Sequence, residues 1–249
     1  MPIESETSFL KQLSIQSLFE ELADEFNQLI DKRERLVKAS RDITYQSKKV
    51  IYLLHRTSDE DLLAICSKAQ LQLENVRQLI CRLLLRELSP EDYFKFHPIF
   101  TIALQEYTEA RLFLSYLSES RAITLDEINA EISQQYESLS ENLQEDAFDL
   151  FINLISVQDY ILGMIDVSGE LMRYCINCSS RNEWSKAFHV ESFLRQLSAE
   201  IKYLASYMSR WNDSLDNKLE AMWTNLQKVE NACYQLYIRH MEFHWKEDE

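Results

Sequence analysis

Residues 159–177 read DYILGMIDVSGELMRYCIN, and the reading of this stretch decides the fold. Placed on a helix at about 100° per residue, Ile161, Met164, Ile165, Val167, Leu171, Met172, Cys175 and Ile176 cover most of the circumference. A helix that is apolar nearly all round belongs inside a bundle. One narrow polar stripe remains, made of Asp159, Asp166, Glu170, Arg173 and Asn177. The only two glycines of the chain, Gly163 and Gly169, flank that stripe. A mid-helix glycine costs about 1 kcal/mol relative to alanine. Both are therefore expected to clear space around Asp166.

The rest of the chain fits a helical bundle. Two glycines and three prolines in 249 residues are too few for many hairpins or βα turns. The expected fold is all-α: one domain over residues 1–249, about seven helices, the N-terminal one long. That first helix is expected over about 8–56. The second is expected from a cap at Ser58 or Asp59 to about Leu88. Ser89-Pro-Glu-Asp92 reads as a helix start, running to about Ser118. Thr124 with Glu127, and Ser156 with Asp159, read as capping boxes. Two last helices are expected over about 188–209 and 213–243, and a loop over 134–150. No run of about 18 uncharged apolar residues predicts a membrane span. Five cysteines, an odd count with no secretory signal in view, point to reduced thiols in an intracellular compartment; the expected location is the cytoplasm, with the nucleus as a second one.

The third helix also places acids where a core is expected. Ile99, Ile102, Phe113 and Leu117 share a face, with Glu106 in its middle and Glu109 at its edge; Thr101, Gln105, Thr108, Arg111 and Ser115 lie opposite. Buried carboxylates cost several kcal/mol each unless they are paired, protonated or metal-bound. Arg173 is one candidate counter-ion. Four carboxylates on two helices suit either a salt-bridge cluster or a site for a hard divalent cation such as Mg²⁺.

Net charge is −15, which argues against nucleic acid for the bulk of the surface. Residues 31–56 are the exception, with eight Lys/Arg against three acids. Leu36, Ala39, Ile43, Val50 and Leu54 form the core face there. Lys38, Arg41, Tyr45, Lys48, Lys49, Tyr52 and Arg56 lie opposite. Basic side chains interleaved with tyrosines suit either a solvated surface or a single-stranded phosphodiester backbone with stacked bases.

The last helix carries Leu215, Leu219, Met222, Leu226, Val229, Cys233 and Leu236 at alternating steps of four and three, a heptad seam. It fits the edge of the chain's own bundle or a partner helix. Cys175-Ile-Asn-Cys178 has no second pair at zinc spacing and reads as packing. His240 and His244 read as a surface pair. No Walker A, GxGxxG, GxSxG or Glu-x-x-His motif occurs.

Five blocks in order, ERLVKASRDITYQSKKVIYLLHR (34–56), LQEYTEA (104–110), the opening stretch (159–177), FLRQL (193–197) and KVENACYQL (228–236), resemble the translin-associated factor X (TRAX) family of the translin superfamily. The resemblance implies an all-helical, translin-like subunit that pairs with translin in closed hetero-oligomeric shells. It implies a Mg²⁺-dependent endoribonuclease for single-stranded RNA, with single-stranded DNA as a second ligand. The processes implied are passenger-strand removal in RNA silencing and trimming of tRNA fragments. Glu106, Glu109, Asp166 and Glu170 match the family's catalytic and metal-binding acids; translin itself lacks the Glu-x-x-Glu pair. Lys38, Arg41, Lys48, Lys49 and Arg56 become the expected RNA contacts. Leu219, Met222, Leu226, Val229 and Leu236 become the expected partner interface. The basic N-terminal extension that animal members use for nuclear import does not match, and neither does the stretch 134–156. Two rivals stand beside this reading. One is a non-catalytic nucleic-acid-binding scaffold. The other is a helical nucleotide pyrophosphohydrolase, whose second motif is Glu-x-x-Asp where this chain has Asp-x-x-x-Glu.

Overall fold

A computed structural model describes residues 3–57, 62–139, 153–208 and 213–245. The described residues form seven α-helices and a short π-helical turn: α1 (Ile3–Leu54), α2 (Leu62–Leu79), the π-turn (Ile80–Leu85), α3 (Pro90–Glu119), α4 (Leu125–Leu139), α5 (Val157–Ser180), α6 (Trp184–Met208) and α7 (Asp213–Trp245). The bundle is built outward from α3, which packs against α1, α2 and α5; α5 in turn packs against α6 and α7. No described helix is long and apolar enough to cross a membrane.

Local sequence explains the helix ends. Asp92 accepts from the backbone N–H of Ser89 at 3.4 Å and from its hydroxyl at 2.8 Å, closing the start of α3. Glu127 accepts from the N–H of Thr124 at 2.7 Å, and Thr124 Oγ1 accepts from the N–H of Glu127 at 3.2 Å, a complete capping box for α4. Ser156 caps α5 by accepting from the N–H of Asp159 at 3.0 Å. The Asp159 carboxylate does not complete a box; it turns instead toward α3. The second helix is not continuous to Leu88. Its last turn widens at Ile80, and the extra residue keeps Ile80, Cys81 and Leu84 all in the core. Residues 134–139, expected as loop, continue α4; residues 140–152 and the expected cap at Ser58 or Asp59 lie outside the described residues.

The core face read for α1 is buried as expected: Leu36, Ile43, Val50 and Leu54 are fully covered. Each such side chain contributes about 1.5–3 kcal/mol of burial. The two-faced reading of α3 does not hold. As the central helix it is covered on most sides, so Thr108, Arg111 and Ser115 of the supposed polar face are buried, while Ile102 is 60% exposed. Burial is compensated locally: Arg111 forks onto Glu131 at 2.8–3.2 Å, and Arg77 joins the same carboxylate at 3.0 Å. All five cysteines are free and buried, and Cys175 and Cys178 pack in the core.

The heptad seam lies inside the chain's own bundle. Met222, Val229 and Leu236 are buried, and Leu219 and Leu226 are half-buried against the same clusters from α5 and α6. Met222, Val229 and Leu236 thus spend their apolar surface within the chain, whereas Leu219 and Leu226 keep part of theirs exposed; Trp223 packs beside Leu215 and Met222.

The glycines also differ from expectation. A β-carbon at Gly163 would stand 3.0 Å from the Gln105 carbonyl oxygen and from Cβ and Cγ2 of Thr108. Gly163 thus permits close approach of α5 to the α3 backbone rather than clearing space around Asp166. A β-carbon at Gly169 would meet only the Asn225 amide, at an ordinary 3.6 Å. Gly163→Ala should lower stability by about 1–3 kcal/mol, because the obstructing atom is helix backbone. Gly169→Ala should raise it by up to about 1 kcal/mol. Urea denaturation of the two variants checks this; equal effects would refute the close-approach account.

Candidate active site

The contact at Gly163 brings two pairs of acids together. Glu106 and Glu109 stand one turn apart on α3, and Asp166 and Glu170 one turn apart on α5. Glu109 is the point where their charges meet. It is 8% exposed and makes no ion pair with any described residue. Burial, then the charges of Asp166, Glu106 and Glu170, push its carboxyl up to about 8.

The other three acids are each held by a cation. Lys48 of α1 reaches Glu106 at 2.9 Å. Lys218 of α7 lies 2.5 Å from Asp166 and 3.3 Å from the amide oxygen of Gln105. Glu170 accepts from Arg173 at 3.0 and 3.1 Å and meets His55 Nε2 at 2.5 Å. Burial alone would raise the Glu170 carboxyl, but His55 and Arg173 outweigh it and hold it below its ordinary value. The hydrogen bond to Glu106, with the charge behind it, raises the Lys48 ammonium. The His55 ring packs on Phe113 at 4.9 Å between centroids.

Behind this cluster lies a second buried carboxylate. Asp159 is fully buried and meets His97 Nε2 at 2.7 Å, Gln105 Nε2 at 3.1 Å, the Ser156 hydroxyl at 2.8 Å and the Thr101 hydroxyl. Burial pushes the Asp159 carboxyl up; the hydrogen bonds from His97, Thr101 and Gln105 outweigh it and leave it lowered. His97, Thr101, Gln105 and Gln158 line a cleft whose wall also holds Glu106, Asp166 and Lys218.

Of the residues singled out from sequence, Glu106, Glu109, Asp166 and Glu170 gather in one place. Lys48 joins them through Glu106. Lys38, Arg41 and Lys49 lie exposed along α1 with Tyr45 and Tyr52, Arg56 lies exposed in the turn that follows, and Lys49 sits over the Tyr45 ring at 4.3 Å. Sequence reasoning missed His55, His97 and Lys218. His97 and Gln105 are eight residues apart on α3, a helical spacing that places them on one side, but only the fold reveals Asp159 between them.

Among the described residues, no group of three or more His, Cys, Asp or Glu side chains is placed so that it could hold a metal ion as it stands. In chemical type the four acids suit a hard cation: they offer carboxylate oxygen only, and one of them, Glu109, has no ion pair among the described residues.

The Translin family model matches residues 31–240. Translin-associated protein X of Pongo abelii is 37% identical over 232 residues, 90% of this chain and 79% of that protein. Translin of Mus musculus is 24% identical over 231 residues, 91% of this chain and 94% of that one. Among solved structures, a complex of AfC3PO with duplex RNA superposes with a TM-score of 0.66 at 16% identity, covering 90% of this chain and 98% of that one. The fold is thus that of the C3PO proteins.

The titration of Glu109 has a consequence for stability. Its folded value, about 8, lies above its ordinary 4.5. The protonated form is favoured by folding, so this contribution is complete below pH 4.5 and is lost as pH rises toward 8. The loss is on the order of 1 kcal/mol per pH unit. In EDTA, Glu109→Gln should melt close to wild type near pH 4.5 and increasingly above it up to pH 8, with a constant gap beyond. A pH-independent difference in Tm would refute the assignment.

Proposed function

The chain belongs to the translin family, and from that premise we propose that it is the catalytic subunit of a translin-containing complex, a Mg²⁺-dependent endoribonuclease acting on single-stranded RNA. The observation that carries this reading is the convergence of Glu106, Asp166 and Glu170 on Glu109, four carboxylates from two helices at the edge of a cleft. The higher identity to Translin-associated protein X than to translin supports the catalytic side of the pair. The duplex RNA bound by AfC3PO supports RNA as the ligand class.

When bound, Mg²⁺ would lower the pKa of a water and offset charge on the phosphate. Glu106, Glu109 and Asp166 are the residues to hold it; Glu170, fixed by His55 and Arg173, is a further ligand or positions the water. Lys48 and Lys218 offer ammonium groups to phosphate oxygens as negative charge develops. The exposed stripe of Lys38, Arg41, Lys48, Lys49 and Arg56 holds the RNA backbone, with Tyr45 and Tyr52 as stacking surfaces. The proposed site of action is the cytoplasm.

The test is co-expression with a translin chain from the same organism, then cleavage of end-labelled single-stranded and duplex RNA. Cleavage of the single strand with Mg²⁺, lost in EDTA and reduced at least about 100-fold by Glu109→Gln or Asp166→Asn, is the expected result. An intact complex that binds RNA but cleaves nothing would favour the scaffold reading; hydrolysis of nucleoside triphosphates would favour a pyrophosphohydrolase.

The basic stripe has its own test. Changing Lys38, Arg41 and Lys49 together to Gln should weaken binding of all single-stranded sequences alike. It should also reduce the slope of log K against log salt by roughly 2, at about 0.7 for each phosphate no longer neutralised. An unchanged slope would leave this face merely solvated.

A further inference from the structure

Part of the lining of the cleft beside the acids has no role in the chemistry at Glu109. On one side stands the imidazole of His97, fixed through Nε2 by the fully buried Asp159. The walls are apolar, from Pro98, Ile102 and Leu162. Ile102 is exposed here although it sits on the central helix of the bundle. Gln158, half-buried at the rim, makes no side-chain hydrogen bond with any described residue. A carboxamide offers both a donor and an acceptor. The far wall is formed by Lys218 and Asp166, together with Glu106.

We infer that this cleft is a nucleobase subsite, taking the base of the nucleotide that flanks the cleaved phosphodiester. An unstacked RNA base needs a flat or apolar surface for its face and polar groups for its edge. The His97 ring and Ile102 supply the first, and the Gln158 carboxamide supplies the second. His97 and Glu106 line the same cleft, so a base seated against the ring has its sugar-phosphate directed toward the acids. Asp159 is then a positioning residue twice over. It orients the His97 ring, and through Gln105 it connects to Lys218, which touches both Gln105 and Asp166. The cleft floor and the acid cluster are one hydrogen-bonded unit. A solvated groove would not require a fully buried carboxylate to hold its lining.

This inference rests on the endonuclease reading above for what is cleaved, so its test measures binding separately from cleavage. The complex with translin is titrated in EDTA, where Mg²⁺ chemistry is silent. The probes are a fluorescent single-stranded RNA of mixed sequence and the same backbone with tetrahydrofuran spacers in place of bases. Wild type should prefer the base-bearing strand by about tenfold or more, the scale of base stacking. Gln158→Ala and Ile102→Ala, both at the cleft surface, should each remove at least about threefold of that preference and leave the spacer strand unaffected. His97→Ala should do the same, and Asp159→Asn should follow His97→Ala in direction. RNA carrying 4-thiouridine should crosslink within residues 97–102 or 158–162. Variants that bind both strands as wild type does, or that weaken both equally, overturn the inference, as do crosslinks confined to α1 or to the partner chain. If the base preference and its loss are seen but Mg²⁺ restores no cleavage, the nuclease reading fails and the subsite stands.

Discussion

Helices α3 and α5 meet where Gly163 lies against the Gln105 carbonyl and the Thr108 side chain, and the rest of the molecule is arranged around that approach. A pair of helices normally packs with axes 8–10 Å apart, the distance set by the side chains at the crossing. Removing a side chain at Gly163 lets the backbones come closer. Glu106 and Glu109 flank the contact on one helix, and Asp166 on the other. The closeness of the carboxylates is therefore a packing result: wherever the helices are pressed together, the acids are too. The cost appears at Glu109, whose carboxyl is driven far above its ordinary value by burial and by its neighbours.

The bundle offsets part of that cost with cations drawn from different elements. Lys48 comes from α1, Lys218 from α7, and Arg173 from α5 itself, and His55, just past the end of α1, adds a hydrogen bond to Glu170. An ion pair that is partly buried contributes little net stability, because desolvation cancels much of the attraction, but losing one partner is costly. These pairs do more to fix relative position than to add stability. They tie the N-terminal and C-terminal helices to the two that carry the acids.

Much of this is legible in the sequence. The all-round apolar pattern of 159–177 places α5 inside, and the position of Glu106 and Glu109 among core residues of α3 marks them as unusual. The α1 core face follows from period alone. The misreadings have a common cause. Amphipathic phasing assumes one buried face, and a central helix has several: hence Thr108 and Arg111 are buried and Ile102 is not. The heptad seam of α7 is visible, but a seam looks the same whether its partner is another chain or α5 and α6 of its own. Asp159 sits in the right stripe yet reads as half of a capping box, because local motifs are found by spacing and its partner His97 is 62 residues away. Lys218 carries no local signal at all.

A cluster of four acids poses a difficulty for the proposed function, in which the site would receive a phosphate backbone, since both are negative. The arrangement of cations answers it by position. Lys48 belongs to two sets at once: it is exposed along the basic side of α1 with Arg41 and Lys49, and it pairs with Glu106. It therefore stands at the boundary between the positive surface and the acids. Lys218 occupies the equivalent boundary on the cleft side, between Gln105 and Asp166. A polyanion approaching along α1 or through the cleft meets an ammonium group beside each exposed carboxylate, Lys48 with Glu106 and Lys218 with Asp166. Repulsion between exposed charges falls off over roughly 8–10 Å at physiological salt, so a cation at each entrance screens much of the field beyond it. The −15 net charge of the chain is then no bar to a polyanion at this place, because Lys48 and Lys218 each pair with one of the acids there.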